Sequence, residues 1–298
     1  MNVDRRSLLK GIAGMAGAAA ATGTAQAEAP RQAPPDAVGL LYDASKCIGC
    51  KTCVVACKEA NHLPPDPDPE DGGRYDSPVT LSGTTKNIIK AYATGGQGSY
   101  MKSQCMHCID PACVNACMIG ALKKREFGIV SWDAELCIGC RYCAVACPFE
   151  VPKFEWAKAN PKVVKCELCK ERLQAGQEPA CTAVCPRHAV IFGKREDLLN
   201  DAHKRLEAEP ARYYPKVYGE KDAGGTQVLY LSKAGIPFEA LGLPNLGNES
   251  VPGLQRSVQH RIYNSFLAPA GLFVALAGSV WRAKKSEQAE EAEQERKS

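Results

Sequence analysis

Sixteen cysteines constrain this chain more than any other feature, because they fall into four runs of four with none left over. The first run is Cys47-x2-Cys50-x2-Cys53-x3-Cys57 and the second is Cys105-x2-Cys108-x4-Cys113-x3-Cys117. The third is Cys137-x2-Cys140-x2-Cys143-x3-Cys147, followed by Pro148, and the fourth is Cys166-x2-Cys169-x11-Cys181-x3-Cys185, followed by Pro186. Runs one and three share Cys-Ile-Gly-Cys and an Ala-Cys ending, so Lys46–Lys58 and Leu136–Pro148 form an internal repeat.

Three thiolates at such spacing can wrap three iron corners of a cubane, because two-residue spacers close tight turns. Gly49 and Gly139 supply permissive backbone inside those turns. The fourth iron faces away from the loop and takes its sulfur from elsewhere. In bacterial two-cluster ferredoxins the last cysteine of each run serves the other cluster. A four-cysteine zinc site uses two Cys-x2-Cys pairs and leaves the third and fourth cysteines of such a run without a role. Disulfides suit an exported protein, but export in the folded state would allow clusters to cap the thiolates first. The pattern therefore points to four [4Fe-4S] clusters.

Runs two and three are joined by Met118–Leu136, in which Phe127–Trp132 reads as a strand returning to Cys137. Runs one and four then pair with each other, and Ala189–Gly193 is the matching strand. Residues 58–104 open with Pro64, Pro65, Pro67 and Pro69 among acids and read as an insertion or loop. The expected fold class is α+β: two pseudo-symmetric ferredoxin-like modules, from runs one and four and from runs two and three, within residues 28–200. Residues 201–260 read as an extension that packs on partners.

The two ends read as addresses. Residues 1–27 have a charged start with Arg5-Arg6-Ser7-Leu8-Leu9-Lys10, an Ala/Gly run, and Ala25-Gln26-Ala27 as a small-residue cleavage pattern. The paired arginines resemble the twin-arginine signal of proteins exported folded. Ile262–Trp281 carries no charge and is bracketed by Arg261 and Arg282. At ~1.5 Å per residue it spans about 30 Å, a bilayer core, so 261–282 reads as one transmembrane helix. Arg282, Lys284 and Lys285 follow and assign the charged tail 283–298 to the cytoplasm, which puts the folded body on the periplasmic face.

The remaining composition is ordinary. A formal charge of +4 over 298 residues gives no polybasic nucleic-acid surface. Glycine-rich nucleotide loops, nucleophile elbows and His-Glu-x-x-His do not occur, so no catalytic centre is expected and the chemistry on offer is one-electron transfer. His107 stands between two ligand cysteines but is not read as a ligand, since Cys105 and Cys108 already supply sulfur there. Lys46, Lys51, Lys58, Arg141, Lys165, Lys170 and Arg172 crowd the runs and read mostly as solvated charges. Cations close to a cluster raise its potential. Trp132 and Trp156 read as packing.

Four runs in this order resemble the iron–sulfur electron-transfer subunits of formate dehydrogenase, dimethyl sulfoxide reductase and related membrane complexes. Within that family, Tyr218-Gly219-Glu220-Lys221 and Gly224-Gly225-Thr226-Gln227-Val228-Leu229 tilt the likeness to the hydrogenase branch. The resemblance implies that Cys47, Cys50, Cys53 and Cys185 hold one cluster, and Cys57, Cys166, Cys169 and Cys181 the next. It implies Cys105, Cys108, Cys113 and Cys147 for the third, and Cys117, Cys137, Cys140 and Cys143 for the fourth. Lys58 and Met118 stand where proline often follows the last cysteine. The implied partners are hydrogenase subunits and a polytopic quinone-reactive membrane subunit. A molybdopterin enzyme in place of the hydrogenase, or a structural or assembly role, remains open from the sequence.

Overall fold

The computed structural model describes residues 31–66 and 77–253, apart from positions 95, 157, 159 and 160, together with residues 269, 271–282, 284, 285, 288 and 289. The export signal read over 1–27 lies outside the described residues, as do 261–268 and 270 of the segment 261–282 read as a membrane span.

In chain order, residues 31–252 form β1 (Val38–Asp43), α1 (Thr52–Ala60), β2 (Ile88–Thr94), β3 (Gln97–Ser103), α2 (Ala112–Asn115), β4 (Leu122–Lys124) and β5 (Val130–Trp132). There follow α3 (Tyr142–Ala146), β6 (Lys153–Phe154), β7 (Val163–Val164), α4 (Lys170–Gln174), α5 (Ala180–Ala183), β8 (Val190–Lys194), α6 (Arg195–Ala208) and β9 (Val228–Leu231). Apart from α6, the helices are short because each belongs to a cysteine run, which forms a turn and then a brief helical segment.

The central sheet has the order β8-β1-β9. Strand β1 pairs antiparallel with β8, Leu41 facing Ile191, and parallel with β9, Leu41 facing Leu229. Its Val-Gly-Leu-Leu-Tyr-Asp is a continuous apolar run because both faces are covered. On one face Leu41, Leu229 and Leu231 pack against Leu198 and Ala202 of α6. On the other, Leu40, Tyr42, Val228 and Tyr230 join Met101, Met106, Leu168 and Cys181, so the sheet backs directly onto the cysteine runs.

Two stretches differ from the sequence reading. The segment read as an insertion or loop carries the β2–β3 hairpin, whose Ile88, Ile89 and Met101 are buried in the core. Its Pro-rich opening masks an apolar hairpin further on. The stretch read as an extension for partners instead completes this chain's own sheet through β9. Gln227, fully buried beside it, donates to Val38 O and to Phe127 O at 2.7 Å. The two strands read near the runs are found, β8 within a residue of expectation. Of the other, only Val130–Trp132 forms a strand, since Phe127 and Gly128 turn through positive φ.

In the C-terminal segment, residues 271–282 are helical and exposed. Among the described residues no helix is long and apolar enough to cross a membrane.

Candidate iron–sulfur centres

The repeat seen in runs one and three is a repeat of backbone geometry. Gly49 and Gly139 take φ of 72° and 70°, and Lys51 and Arg141 take 59° and 67° immediately before α1 and α3. Each run thus turns twice through the left-handed region and enters a helix that buries its third cysteine, Cys53 or Cys143. A Cβ on Gly49 would stand 2.4 Å from the Tyr100 ring as well as meeting the left-handed penalty. Gly49→Ala is expected to cost about 1–2 kcal/mol, read as a lower melting temperature with the iron content retained.

The sixteen cysteines are all free thiols, and the fold interleaves the runs. Cys47, Cys50, Cys53 and Cys185 line one hollow of about 370 Å³, with Tyr42 and Lys102 in its wall. Cys117, Cys137, Cys140 and Cys143 line another of about 320 Å³, walled by Leu122, Trp132 and Phe154. Between these, Cys57 of run one has Cys166, Cys169 and Cys181 of run four as its electrostatic neighbours. Cys105, Cys108 and Cys113 of run two each have Cys147 of run three. Successive groups are electrostatic neighbours through Cys53 and Cys181, Cys166 and Cys105, and Cys113 and Cys143. The four groups therefore form a row.

A tetrahedral zinc, with Zn–S bonds near 2.3 Å, draws its sulfurs to ~3.8 Å of one another. Among the described residues no three His, Cys, Asp or Glu side chains gather closely enough to hold one metal ion. Thiols spread around a hollow suit the corners of a larger group. Backbone N–H groups also point at sulfur: Gly49 N at Cys47 (3.5 Å), Ala121 N at Cys117 (3.2 Å), Leu168 N at Cys166 (3.4 Å) and Ala189 N at Cys185 (3.2 Å). Such donors favour a thiolate acceptor. Burial works against it, pushing Cys53, Cys57 and Cys113 up to about 12, and Cys105, Cys143 and Cys169 up to about 11. A bound metal deprotonates a coordinating thiol outright and removes that conflict. The donor set fits [4Fe-4S] clusters.

Several charges near the runs are not solvated. Lys58 is buried, paired with Asp66 at 2.8 Å and bonded to Thr84 O at 2.8 Å. Lys165 is buried and its Nζ donates to Val130 O and, at 3.1 Å, to Cys166 O. Proximity to an anionic group is what makes such burial tolerable. Lys124 donates to Gly128 O at 2.7 Å and Gln227 Oε1 at 2.9 Å, and burial lowers it to about 8 against the pull of Cys108 and Cys105. His107 is fully buried; its Nδ1 accepts the Val130 N–H at 3.1 Å. Burial first, then Lys165 and Lys124, holds His107 well below the usual imidazole range, so it is neutral with its proton on Nε2. Trp156 is exposed, with Arg141 stacked 4.3 Å from its centroid.

Sequence reasoning passed over Tyr42 and Lys102. Tyr42 donates to Tyr100 O at 2.9 Å and lies against Cys47. Both come from strands outside the runs, where spacing carries no signal.

A fold that lines up four groups of four thiols, most of them buried or half-buried, with amide donors aimed at several of the sulfurs, defines an iron–sulfur electron-transfer protein. Comparisons with known proteins narrow this. A 4Fe-4S dicluster domain matches residues 97–195 and a 4Fe-4S binding domain matches residues 39–59. The hydrogenase-2 operon protein HybA of Shigella flexneri is 38% identical, covering 96% of this chain and 97% of its own. The iron–sulfur subunit of the nitrate-inducible formate dehydrogenase of the same species is 38% identical over 82% of this chain and 83% of its own. That of Haemophilus influenzae formate dehydrogenase is 36% identical over 70% and 68%. The chain belongs to the family of iron–sulfur electron-transfer subunits that includes HybA and these formate dehydrogenase subunits, and it carries four [4Fe-4S] clusters.

Proposed function

We propose that the chain relays electrons between a periplasm-facing nickel–iron hydrogenase and a membrane subunit that exchanges them with quinone. The observation that carries the reading is the unbroken row of four thiol groups, each drawn from two runs. Clusters bound there supply one-electron transfer. The ligand sets are Cys47/Cys50/Cys53/Cys185, Cys57/Cys166/Cys169/Cys181, Cys105/Cys108/Cys113/Cys147 and Cys117/Cys137/Cys140/Cys143, in that order along the row. They make two ferredoxin-like modules, one from runs one and four and one from runs two and three. The chain's own work is to hold the clusters in sequence, direct amide N–H groups at their sulfurs and keep water from the inner two.

The hydrogenase partner follows from likeness to HybA along nearly the whole of both chains. Export and anchoring rest on Arg5-Arg6 and on the uncharged stretch Ile262–Trp281, with the C-terminus in the cytoplasm. A second reading gives the same relay to a molybdopterin enzyme, and the equal identity to a formate dehydrogenase subunit favours it.

The test is low-temperature EPR on washed membranes from cells with and without this chain, poised under hydrogen or formate. Hydrogen is expected to reduce a set of interacting [4Fe-4S] signals that the deletion lacks. Reduction by formate alone would transfer the relay to the second reading. If dithionite develops no signals of this chain, the relay itself fails. Signals found only in the soluble fraction would remove the anchor.

A further inference from the structure

Lys102 is a lysine where a strand in the core should carry an apolar side chain. It sits in β3 next to Met101, fully buried, with its carbonyl accepting from Tyr230 Oη at 2.8 Å. Taking an ammonium out of water costs several kcal/mol unless an anion compensates. Among the described residues no carboxylate pairs with it. Its side-chain acceptor is Gln104 Oε1, which leaves two of its three N–H bonds without a partner among the described residues. The neighbouring Gln104 Nε2 is also buried without an acceptor. Two adjacent donors short of partners, one of them charged, point at an anion that the described residues do not supply.

The surroundings say which anion. Lys102 forms part of the wall of the hollow lined by Cys47, Cys50, Cys53 and Cys185. Its strongest electrostatic partners are Cys181, Cys53, Cys166 and Cys57, one thiol of the first set and three of the second. Burial pulls its pKa down, and these four thiols more than reverse the pull. Lys51 and Arg187 line the same hollow, but Arg187 is exposed and Lys51 half-exposed, so solvent screens them as it does not screen Lys102.

We propose that Lys102, held by Gln104, is a buried counter-charge shared by the clusters of the first two thiol sets, and that it raises the reduction potential of both. Each cluster gains one negative charge when it takes up one electron, and a fixed positive charge beside it stabilises that reduced form. No proton need move and no bond is made or broken. Lys102 is thus a positioning residue for charge, acting on the clusters from outside their ligand shells. The inference rests on the ligand sets proposed above.

The test uses the full chain in its membrane complex, with EPR-monitored redox titration and iron analysis. Single-cysteine variants of each set assign the signals. In Lys102→Met, whose side chain fills the same space, the first two clusters are expected to become at least tenfold harder to reduce, 59 mV for a one-electron couple. The clusters of the third and fourth sets should hold their potentials, and Lys102→Arg should stay with the wild type. If Lys102→Met loses iron instead, Lys102→Arg decides: four retained clusters support a charge role, and equal loss overturns it. Four unchanged potentials with full iron, or an equal fall in all four, also overturns it. The wild-type titration separates the two readings, because a chain without four clusters would sink the relay before Lys102 is considered.

Discussion

Cys185→Ala is expected to abolish the same cluster as Cys47→Ala, although the two residues lie 138 positions apart, on the fourth and first runs. Loss of one ligand should lower cluster affinity by at least about tenfold, since even partners outside the ligand shell cost 10–100-fold when removed. A quarter of the iron should go, leaving three clusters, and electron delivery to quinone should fall while dye-linked activity of the catalytic partner persists. The physical reason is the position of Cys185 at the end of α5, where its thiol lines the hollow of Cys47, Cys50 and Cys53, not the group of Cys166 and Cys169. Under the opposite assignment, in which each run serves its own cluster, Cys185→Ala would share its EPR difference spectrum with Cys166→Ala. That result would overturn the interleaved sets. Iron analysis and EPR of the three variants side by side make the comparison.

The cysteine runs were legible because ligand spacing is a local property. Gly49 and Gly139 announce their left-handed turns, and the repeat of run one in run three survives as a repeat of φ values. Val190–Lys194 was legible as a strand for the same reason, a short apolar run directly after a turn. The core behind the runs was not. The β2–β3 hairpin follows a proline-rich stretch that reads as loop, and Met101 and Lys102 break the alternation a half-buried strand should show, both being buried. Strand β9 joins β1 in parallel from 185 residues away, counting Asp43 to Val228, and parallel pairing leaves no turn signal in the sequence. Long-range pairing and buried charge are properties of the whole fold. Residue type alone therefore assigned Lys58 and Lys165 to solvent, where the chain instead buries both.

Asp43→Ala is the substitution outside the cysteines with the largest expected cost. Its carboxylate is fully buried and collects four bonds: from Arg205 Nη1 at 3.1 Å, Tyr213 Oη at 2.9 Å, Ser45 N at 2.9 Å and Ser45 Oγ at 2.6 Å. The residue therefore ties the end of β1 to α6 and to the segment that precedes β9. Its carbonyl also accepts from Lys46 N at 3.1 Å and Cys47 N at 3.3 Å, so it sets the entry into the first run. Removing one member of a buried ion pair costs ~3–5 kcal/mol. The lower end applies here, because Arg205 keeps Asp201 at 2.6 Å and is not wholly buried. About 3 kcal/mol corresponds to a fall in Tm of about 6–12 °C for a chain of this size. Asp43→Asn keeps one oxygen, enough to accept the two Ser45 bonds, but presents an amide NH2 in place of the oxygen that accepts from Arg205 and Tyr213, and should lose less than Asp43→Ala. A melt followed by far-UV circular dichroism on both variants gives the measurement. Equal losses would show that the carboxylate oxygen facing Arg205 and Tyr213, and not the bonds to Ser45, carries the effect. A cycle with Tyr213→Phe then isolates the tie itself: non-additive losses mean that Asp43 and Tyr213 act as one unit fixing the sheet on which the relay is built.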